Sequence, residues 1–208
     1  MHPHHRSPAP AGTAPSAPQP YTVIFDAVAA SSPGGDAPGV APPAAPSTHA
    51  LLRPLRDGDG AALHALVAAS PPLDLNSVYA YLLLAHHHGA TCVVADGGDA
   101  LLGAITAYQP PQQPDTLFVW QVAVAAGVRG EGLAARMLDY LRLQVMAPRA
   151  LRWLDTTITP GNTASHRLFT SFGLRHDVGC SMTTLFGAAQ FGEHGHDDER
   201  LYHLGPWA

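Results

Sequence analysis

The chain has 208 residues, a mass of 21.8 kDa and 46% hydrophobic residues, which suits one domain with a packed core. Its 16 acidic and 11 basic residues give a net charge of −5, which argues against nucleic acid as a partner. Its uncharged apolar runs are too short to span a membrane. All the basic residues are arginine, which excludes lysine Schiff-base and P-loop chemistry.

The first 49 residues differ in composition from the rest of the chain. They hold 11 of the 20 prolines, and proline resists both helix and sheet. We therefore expect a disordered tail over residues 1–49, with a partner-binding arm as the alternative, and a domain over residues 50–208. The segment Tyr21–Phe25 contains strand-forming residues, but its proline-rich flanks favour an unpaired segment. Two cysteines, Cys92 and Cys180, and the lack of an apolar signal-peptide core predict a reduced, cytoplasmic protein.

A strand and two helices are predicted at the start of the domain. The strand covers residues 51–56, and Asp57-Gly-Asp59 caps a helix whose apolar face is Leu63, Leu66 and Val67. Asn76 or Ser77 caps a second helix, which ends at Gly89 and whose apolar residues are Tyr79, Leu82 and Leu83. A hairpin of strands 92–95 and 101–108 follows.

The next unit is a strand, a glycine-containing turn and a helix. The strand ends at Val124, and the run Arg129-Gly-Glu-Gly-Leu-Ala134 opens a helix with apolar residues at helical spacing: Met137, Leu138, Leu141 and Val145. Glycines at this point leave bare N–H groups where the helix dipole is positive, which predicts an anion-binding cradle. A strand over 151–157, a helix over 163–172 that follows Asn162, and a last strand over 201–204 complete the prediction.

These elements and the run 129–134 resemble the GNAT superfamily of N-acetyltransferases, whose pyrophosphate signature is Arg/Gln-x-x-Gly-x-Gly/Ala. The resemblance implies an α/β GNAT fold, with a mixed central β-sheet splayed at the cofactor site and flanked by helices. It also implies acetyl-CoA as co-substrate, bound as an added strand by the main chain of Val122, Ala123 and Val124. The other implied cofactor-binding residues are Arg129, Gly130, Glu131, Gly132, Leu133, Ala134, Asn162 and Ser165.

Three longer segments narrow the resemblance. Residues 73–77, 113–124 and 159–165 look like segments of the diaminobutyrate acetyltransferases of ectoine synthesis, and the likeness covers about residues 51–206. It implies transfer of the acetyl group to the 4-amino group of L-2,4-diaminobutyrate, osmoprotection as the role, and a homodimer. The alternatives are a GNAT enzyme acting on another small amine and a non-catalytic acyl-CoA-binding module.

An amine must lose its proton before it attacks a thioester, so carboxylates near the strand split are candidate catalytic groups. We select Asp74 and Glu199, which the resemblance favours over a helix cap and a solvated charge, respectively. Tyr79 is the third candidate catalytic residue. The predicted substrate-binding residues are Asp74, Asn76, Ser77, Tyr79, Trp120 and Glu199; for Trp120 a place in the core is the alternative.

Phe169 occupies the position at which many GNAT enzymes carry a tyrosine that protonates the leaving thiolate. Tyr79, Tyr81, Tyr108 or a water is expected to replace that acid, or the thiolate leaves unaided. The 13 histidines include His194-Gly-His196, but no fixed ligand spacing accompanies them, so we predict no metal.

Overall fold

The computed structural model describes residues 21–22 and 50–208. Within these ranges eight strands form one mixed sheet in the order β1-β7-β8-β6-β5-β4-β3-β2. Only the β5–β6 pair is parallel. The strands are β1 Tyr21–Thr22, β2 Leu51–Pro54, β3 Val93–Asp96, β4 Leu101–Tyr108, β5 Thr116–Val124, β6 Trp153–Ile158, β7 Gly179–Phe186 and β8 Glu199–Gly205.

Helices cover both faces of the sheet. Four α-helices are present in the described chain: α1 Gly60–Ala68, α2 Val78–His88, α3 Leu133–Tyr140 and α4 Thr163–Arg175. The helix α3 continues as a π-helical turn, Leu141–Met146. One core cluster joins α3 and α4 to the sheet, and a second joins α1 and α2 to its other face. No helix in the described ranges has both the length and the apolar content to cross a membrane.

The sheet splays between its two parallel strands. The pairing of β5 with β6 ends at Val119 and Thr156, although β5 runs on to Val124 and β6 to Ile158. Beyond that point one edge of β5 has lost its neighbour, so its main-chain N–H and C=O groups are available to another strand-like partner. The sequence-based expectation of a sheet split at this strand is confirmed.

A β-bulge lies at the start of the splay. Thr106 pairs with Gln121 and Ala107 pairs with Val119, so Trp120 is an extra residue in β5. Before the bulge, Leu117 and Val119 point to the side of the sheet covered by α3 and α4, which we call the α3–α4 core. After the bulge, the residues that pack against this core are Val122 and Val124. The extra residue therefore reverses the alternation, because side chains point to opposite faces with a period of two. The residues turned to the α1–α2 face are Gln121 and Ala123.

The exposed face of α2 differs from the prediction. Ser77 caps this helix, its Oγ accepting a hydrogen bond from the Ala80 N–H at 3.2 Å, as one of the two expected caps. The apolar face assigned to Tyr79, Leu82 and Leu83 is wrong, because these side chains are exposed and the buried residues are Tyr81, Leu84 and Ala85. The run Tyr81–Ala85 is apolar throughout, so its periodicity did not distinguish the two faces.

Three other elements also depart from the sequence prediction. The helix α4 passes Gly173 and ends at Arg175, and the strand β7 had not been predicted at all. The prediction of a tail at residues 1–49 falls largely outside the described residues. Within it, Tyr21 and Thr22 pair with Met182 and Ser181 of β7, whereas the sequence favoured an unpaired segment. The edge of β7 offers unpaired main-chain groups that an extended segment can bond.

Candidate active site

Two cavities meet where the sheet splays. The first has a volume of about 710 Å³ and lies between β5, β6, the loop before α2 and the segment before β8. The second has a volume of about 670 Å³ and lies against the N-terminus of α3 and one face of α4. The cavities share part of their walls, formed by Pro72, Leu73, Val122, Asn162, Ala164 and Ser165. We call the first the acceptor cavity and the second the cofactor cavity.

Carboxylates from distant parts of the chain meet in the acceptor cavity. The side chains of Asp74 and Glu199 both approach Nε2 of His196, Asp74 Oδ2 at 3.9 Å and Glu199 Oε1 at 3.7 Å. Both predicted carboxylates therefore line one cavity, as does the predicted Trp120. Among the residues that line this cavity the carboxylates outnumber the basic groups, so it suits a ligand with positively charged groups.

Glu199 and Asp74 differ in their surroundings. The Glu199 side chain is 18% exposed, and its Oε2 is buried with no hydrogen-bond partner in the described part of the chain. The Asp74 side chain is 87% exposed, and the residue is held by its main-chain carbonyl, which accepts a hydrogen bond from Gln121 Nε2 at 2.8 Å. A buried, unpaired carboxylate oxygen is costly, so Glu199 gains most from an ammonium ligand.

His196 is a site residue that sequence reasoning missed. Its Nδ1 donates to the Asp197 carbonyl at 2.7 Å, and its ring stacks on Phe191 with centroids 4.0 Å apart. That hydrogen bond, together with the charges of Glu199 and Asp74, raises the pKa of His196 above its ordinary value. In the sequence, the available signal is that His196 stands three residues before Glu199. The histidine pattern alone suggests only a possible metal ligand.

Three predicted substrate-binding residues lie outside both cavity walls. Tyr79 is 67% exposed on the outer face of α2. Ser77 caps that helix, and the main-chain N–H of Asn76 donates to the Tyr81 hydroxyl at 3.4 Å. None of these three side chains therefore lines the cavity that Asp74 and Glu199 line. Tyr81 and Tyr108, two suggested replacement acids, also lie outside the walls.

The predicted anion cradle forms the base of the cofactor cavity. Gly130 and Gly132 have positive φ angles of 83° and 75°, and Gly132 is the N-cap of α3. Arg129 donates from Nε to the Val124 carbonyl at 2.9 Å, which ties the cradle to the end of β5. Leu133 and Ala134 line the cavity with them, whereas Glu131 does not. Positive φ explains why glycine stands at both positions, since other residues are strained there.

Strand β5 and helix α4 form the rest of the cofactor cavity. Val122, Ala123 and Val124 line it, and so do Asn162 and Ser165. Asn162 is the N-cap of α4, where its Oδ1 accepts a hydrogen bond from the Ser165 N–H at 3.0 Å. Sequence reasoning missed two cationic wall residues, Arg167 and Arg175. They lie two helical turns apart on α4, a spacing that could have been noted once that helix was placed beside the cradle.

Phe169 is buried in the wall of the acceptor cavity, so it offers no acid there. Neither cysteine lines a cavity, and burial raises the pKa of both thiols to about 11. Within the described ranges no three His, Cys, Asp or Glu residues are grouped to hold a metal ion.

Comparison with known proteins agrees with this geometry. The model of the acetyltransferase (GNAT) family matches residues 61–174. The L-2,4-diaminobutyric acid acetyltransferase of Bordetella parapertussis is 47% identical over 157 residues, covering 75% of this chain and 84% of that protein. Its counterpart from Streptomyces avermitilis is 49% identical over 149 residues, covering 71% and 83%.

A solved structure with the same fold is the diaminobutyrate acetyltransferase EctA from Paenibacillus lautus, in complex with its substrate L-2,4-diaminobutyric acid and coenzyme A. It shares 37% sequence identity with this chain at a TM-score of 0.73, and the match covers 77% of this chain and 96% of that one. The family match, the identities and the splayed sheet agree, and the chain belongs to the GNAT family of acetyltransferases.

Proposed function

We propose that this chain transfers the acetyl group of acetyl-CoA to the 4-amino group of L-2,4-diaminobutyrate, giving N4-acetyl-L-2,4-diaminobutyrate. The observation that carries the proposal is the pair Asp74 and Glu199 in a cavity that opens into a second one at the splay. The names of the relatives and the ligands of the Paenibacillus lautus structure support the same substrates.

The residues of the cofactor cavity fit acetyl-CoA. The unpaired edge of β5 at Val122–Val124 offers main-chain groups to the amide-containing arm of that molecule. The α3 N-terminus, with Gly130 and Gly132 in the left-handed region, offers N–H groups to a pyrophosphate. Arg167 and Arg175 add positive charge to the same wall. A phosphate-bearing ligand is therefore favoured here by charge as well as by shape.

The acceptor cavity suits a diamino acid in which one amine reacts. The reacting ammonium, with an ordinary pKa near ~10, must give up a proton before its nitrogen attacks the thioester carbon. Glu199 is the better placed of the two carboxylates to accept a hydrogen bond from it, because Oε2 is buried and unpartnered among the described residues. The first proton of the ammonium passes through Glu199 to water, and the neutral nitrogen then attacks. The new C–N bond replaces the C–S bond, and water carries the second proton lost by that nitrogen to the leaving thiolate, because Phe169 offers none.

Product analysis tests the proposal. The protein is mixed with acetyl-CoA and L-2,4-diaminobutyrate, ornithine or lysine, thiol release is followed, and the products are identified by mass spectrometry and NMR. We expect the N4-acetyl product and much slower turnover of ornithine and lysine, whose distal amines lie one and two methylenes farther along. Acetylation of the 2-amine, equal use of lysine, or no thiol release would contradict the proposal.

We further propose that the enzyme acts in the cytoplasm, in ectoine synthesis and thus osmoprotection, as a homodimer. The two free, buried cysteines support a reducing compartment. The outer face of α2 supports self-association, since α2 and the loop before it expose several large apolar side chains: Leu75, Val78, Tyr79, Leu82 and Leu83. A second copy on this face would also give Tyr79, the predicted catalytic residue left outside the cavity wall, a contact with another chain.

A further inference from the structure

A hydrogen-bonded chain of three residues connects the buried side of α2 to the acceptor cavity. The Tyr81 side chain is fully buried, and its hydroxyl donates to Gln121 Oε1 at 3.2 Å. Gln121 Nε2 in turn donates to the main-chain carbonyl of Asp74 at 2.8 Å. The Asn76 N–H donates to the same Tyr81 hydroxyl at 3.4 Å. Residues 74 and 76 are thus held by their main chain at two points.

The β5 bulge is what makes this chain of bonds possible. Without the extra residue Trp120, Gln121 would follow the alternation of Leu117 and Val119 and point into the apolar α3–α4 core. With it, Gln121 turns to the α1–α2 face and reaches Tyr81. The bulged backbone is held in turn, because the Gln121 N–H donates to Thr106 Oγ1 at 3.0 Å.

The Asp74 carbonyl, which can only accept, determines which way the Gln121 amide points. A hydroxyl that donates to Oε1 leaves Nε2 on the opposite side, facing the Asp74 carbonyl. The reversed amide would direct its oxygen at that carbonyl oxygen, and two acceptors repel. Because Gln121 is buried, these bonds compete little with water and fix the amide firmly.

We propose that Gln121, held by a hydrogen bond from Tyr81, is a positioning residue for the acceptor site: it holds the main chain of Asp74 so that the exposed Asp74 carboxylate faces the substrate ammonium. This inference rests on the function proposed above. Asp74 has an 87% exposed side chain, with His196 at 3.9 Å as its ion-pair contact, so its position depends on its main chain. The substrate is the one proposed above, and Gln121 would position one of the two carboxylates that bind it.

Steady-state kinetics of Gln121→Met test the inference, since methionine keeps the length of the side chain and removes both hydrogen bonds. We expect kcat/KM for diaminobutyrate to fall by about fivefold to tenfold, no more than the loss expected when Asp74 itself loses its charge, with little change in KM for acetyl-CoA. In the Asp74→Asn background the same change should have an effect of about twofold or less, because it acts through Asp74. Independent, fully additive losses would overturn the inference.

Thr116→Val is the matched control, because Thr116 is a buried polar residue on the same strand but away from both cavities. Hydrogen exchange of the amides in residues 73–77 should accelerate in Gln121→Met and not in Thr116→Val. This readout does not need turnover, so it separates failure of the inference from failure of the proposed function. If Gln121→Met does not fold, Tyr81→Phe should show the same changes in smaller size; unchanged kinetics and exchange in that variant would overturn the inference.

Discussion

At the scale of single residues, the acceptor cavity pairs a buried carboxylate with an exposed one. Glu199 has a buried carboxylate oxygen with no hydrogen-bond partner among the described residues, while Asp74 is solvated and held through its main chain. On the proposed function we expect the two groups to contribute differently. Glu199 would contribute affinity and accept the proton, and Asp74 would direct the entry of the substrate.

Replacing Asp74 by asparagine keeps its shape and removes its charge. We expect kcat/KM for diaminobutyrate to fall by about tenfold, the lower end of what a charge-assisted hydrogen bond supplies, because the side chain is largely exposed. The Kd of acetyl-CoA, measured by calorimetry, should stay at the wild-type value. A parallel loss of acetyl-CoA affinity would show that the change had disturbed the shared wall at Leu73 instead.

Arg53 is a buried cation that links β2 to two carboxylates. It contacts Asp59 at 2.6 Å and Asp96 at 2.8 Å. Arg53 is the main cause that lowers the pKa of Asp59; for Asp96 the Gly98 N–H is the main cause and Arg53 the second. Groups with lowered pKa stabilise the fold above their unfolded pKa, near ~4, and this stabilisation is lost as the pH falls through the folded values.

Arg53→Met should lower the free energy of unfolding at pH 7 by about 2 kcal/mol, less than for a fully buried pair, because some solvent reaches the groups. The variant should also lose less stability than the wild type between pH 5 and about pH 3, since the part of the lowering of the carboxylate pKa values that Arg53 causes is absent. Urea unfolding at several pH values measures both effects. Parallel stability curves for the two proteins would contradict this account of the acid sensitivity.

At the scale of elements, the start of α3 depends on glycine conformation rather than on space. A Cβ at Gly132 would meet no atom within 4 Å, but its φ of 75° is strained for a β-branched residue. Gly132→Val should therefore fold and bind acetyl-CoA about tenfold more weakly, because the N–H groups of the cradle shift. Gly127→Ala, in the open turn before the cradle and outside its wall, is the matched control in calorimetry. Wild-type affinity in Gly132→Val would remove the cradle from the cofactor site.

The same elements indicate what the sequence could predict. The cradle at 129–134, a cap at Asn76 or Ser77 and the start of a helix after Asn162 were predicted, because each depends on a few neighbouring residues. The bulge was not predicted, although the sequence contains a signal for it: the core-facing apolar residues change from odd positions, Leu117 and Val119, to even positions, Val122 and Val124. The strand β7 was missed because its side chains are mostly exposed and so lack an apolar period.

Contacts between distant segments lay beyond sequence reasoning of this kind. Nothing local to His196 indicates that Asp74 approaches it, and nothing local to Gln121 indicates that Tyr81 does; both depend on the order of strands in the sheet. The mixed sheet and its splay were expected from the family resemblance and not from periodicity, and the parallel pairing of β5 with β6 was not predicted. Individual site residues could be identified from the sequence, but which of them lie next to each other could be seen only in the three-dimensional structure.

At the scale of the whole molecule, the outer face of α2 is the surface through which we propose that two copies associate. Leu83→Glu places a charge in this apolar surface and should convert the proposed dimer into a monomer, as measured by light scattering after size exclusion. Leu174→Glu, at an exposed leucine on α4, should leave the mass unchanged. A monomeric wild type, or an unchanged mass for Leu83→Glu, would contradict the proposed interface.

The wall shared by the two cavities also has a kinetic consequence. Val122, Asn162 and Ser165 line both the acceptor cavity and the cofactor cavity, so the two cavities are adjacent but distinct. On the proposed function, both substrates can therefore be bound at the same time. Both cysteines are buried away from these walls with raised thiol pKa values, so neither is suited to carry the acetyl group in between. We therefore expect direct transfer within a ternary complex, so that double-reciprocal plots at several fixed acetyl-CoA concentrations intersect instead of running parallel.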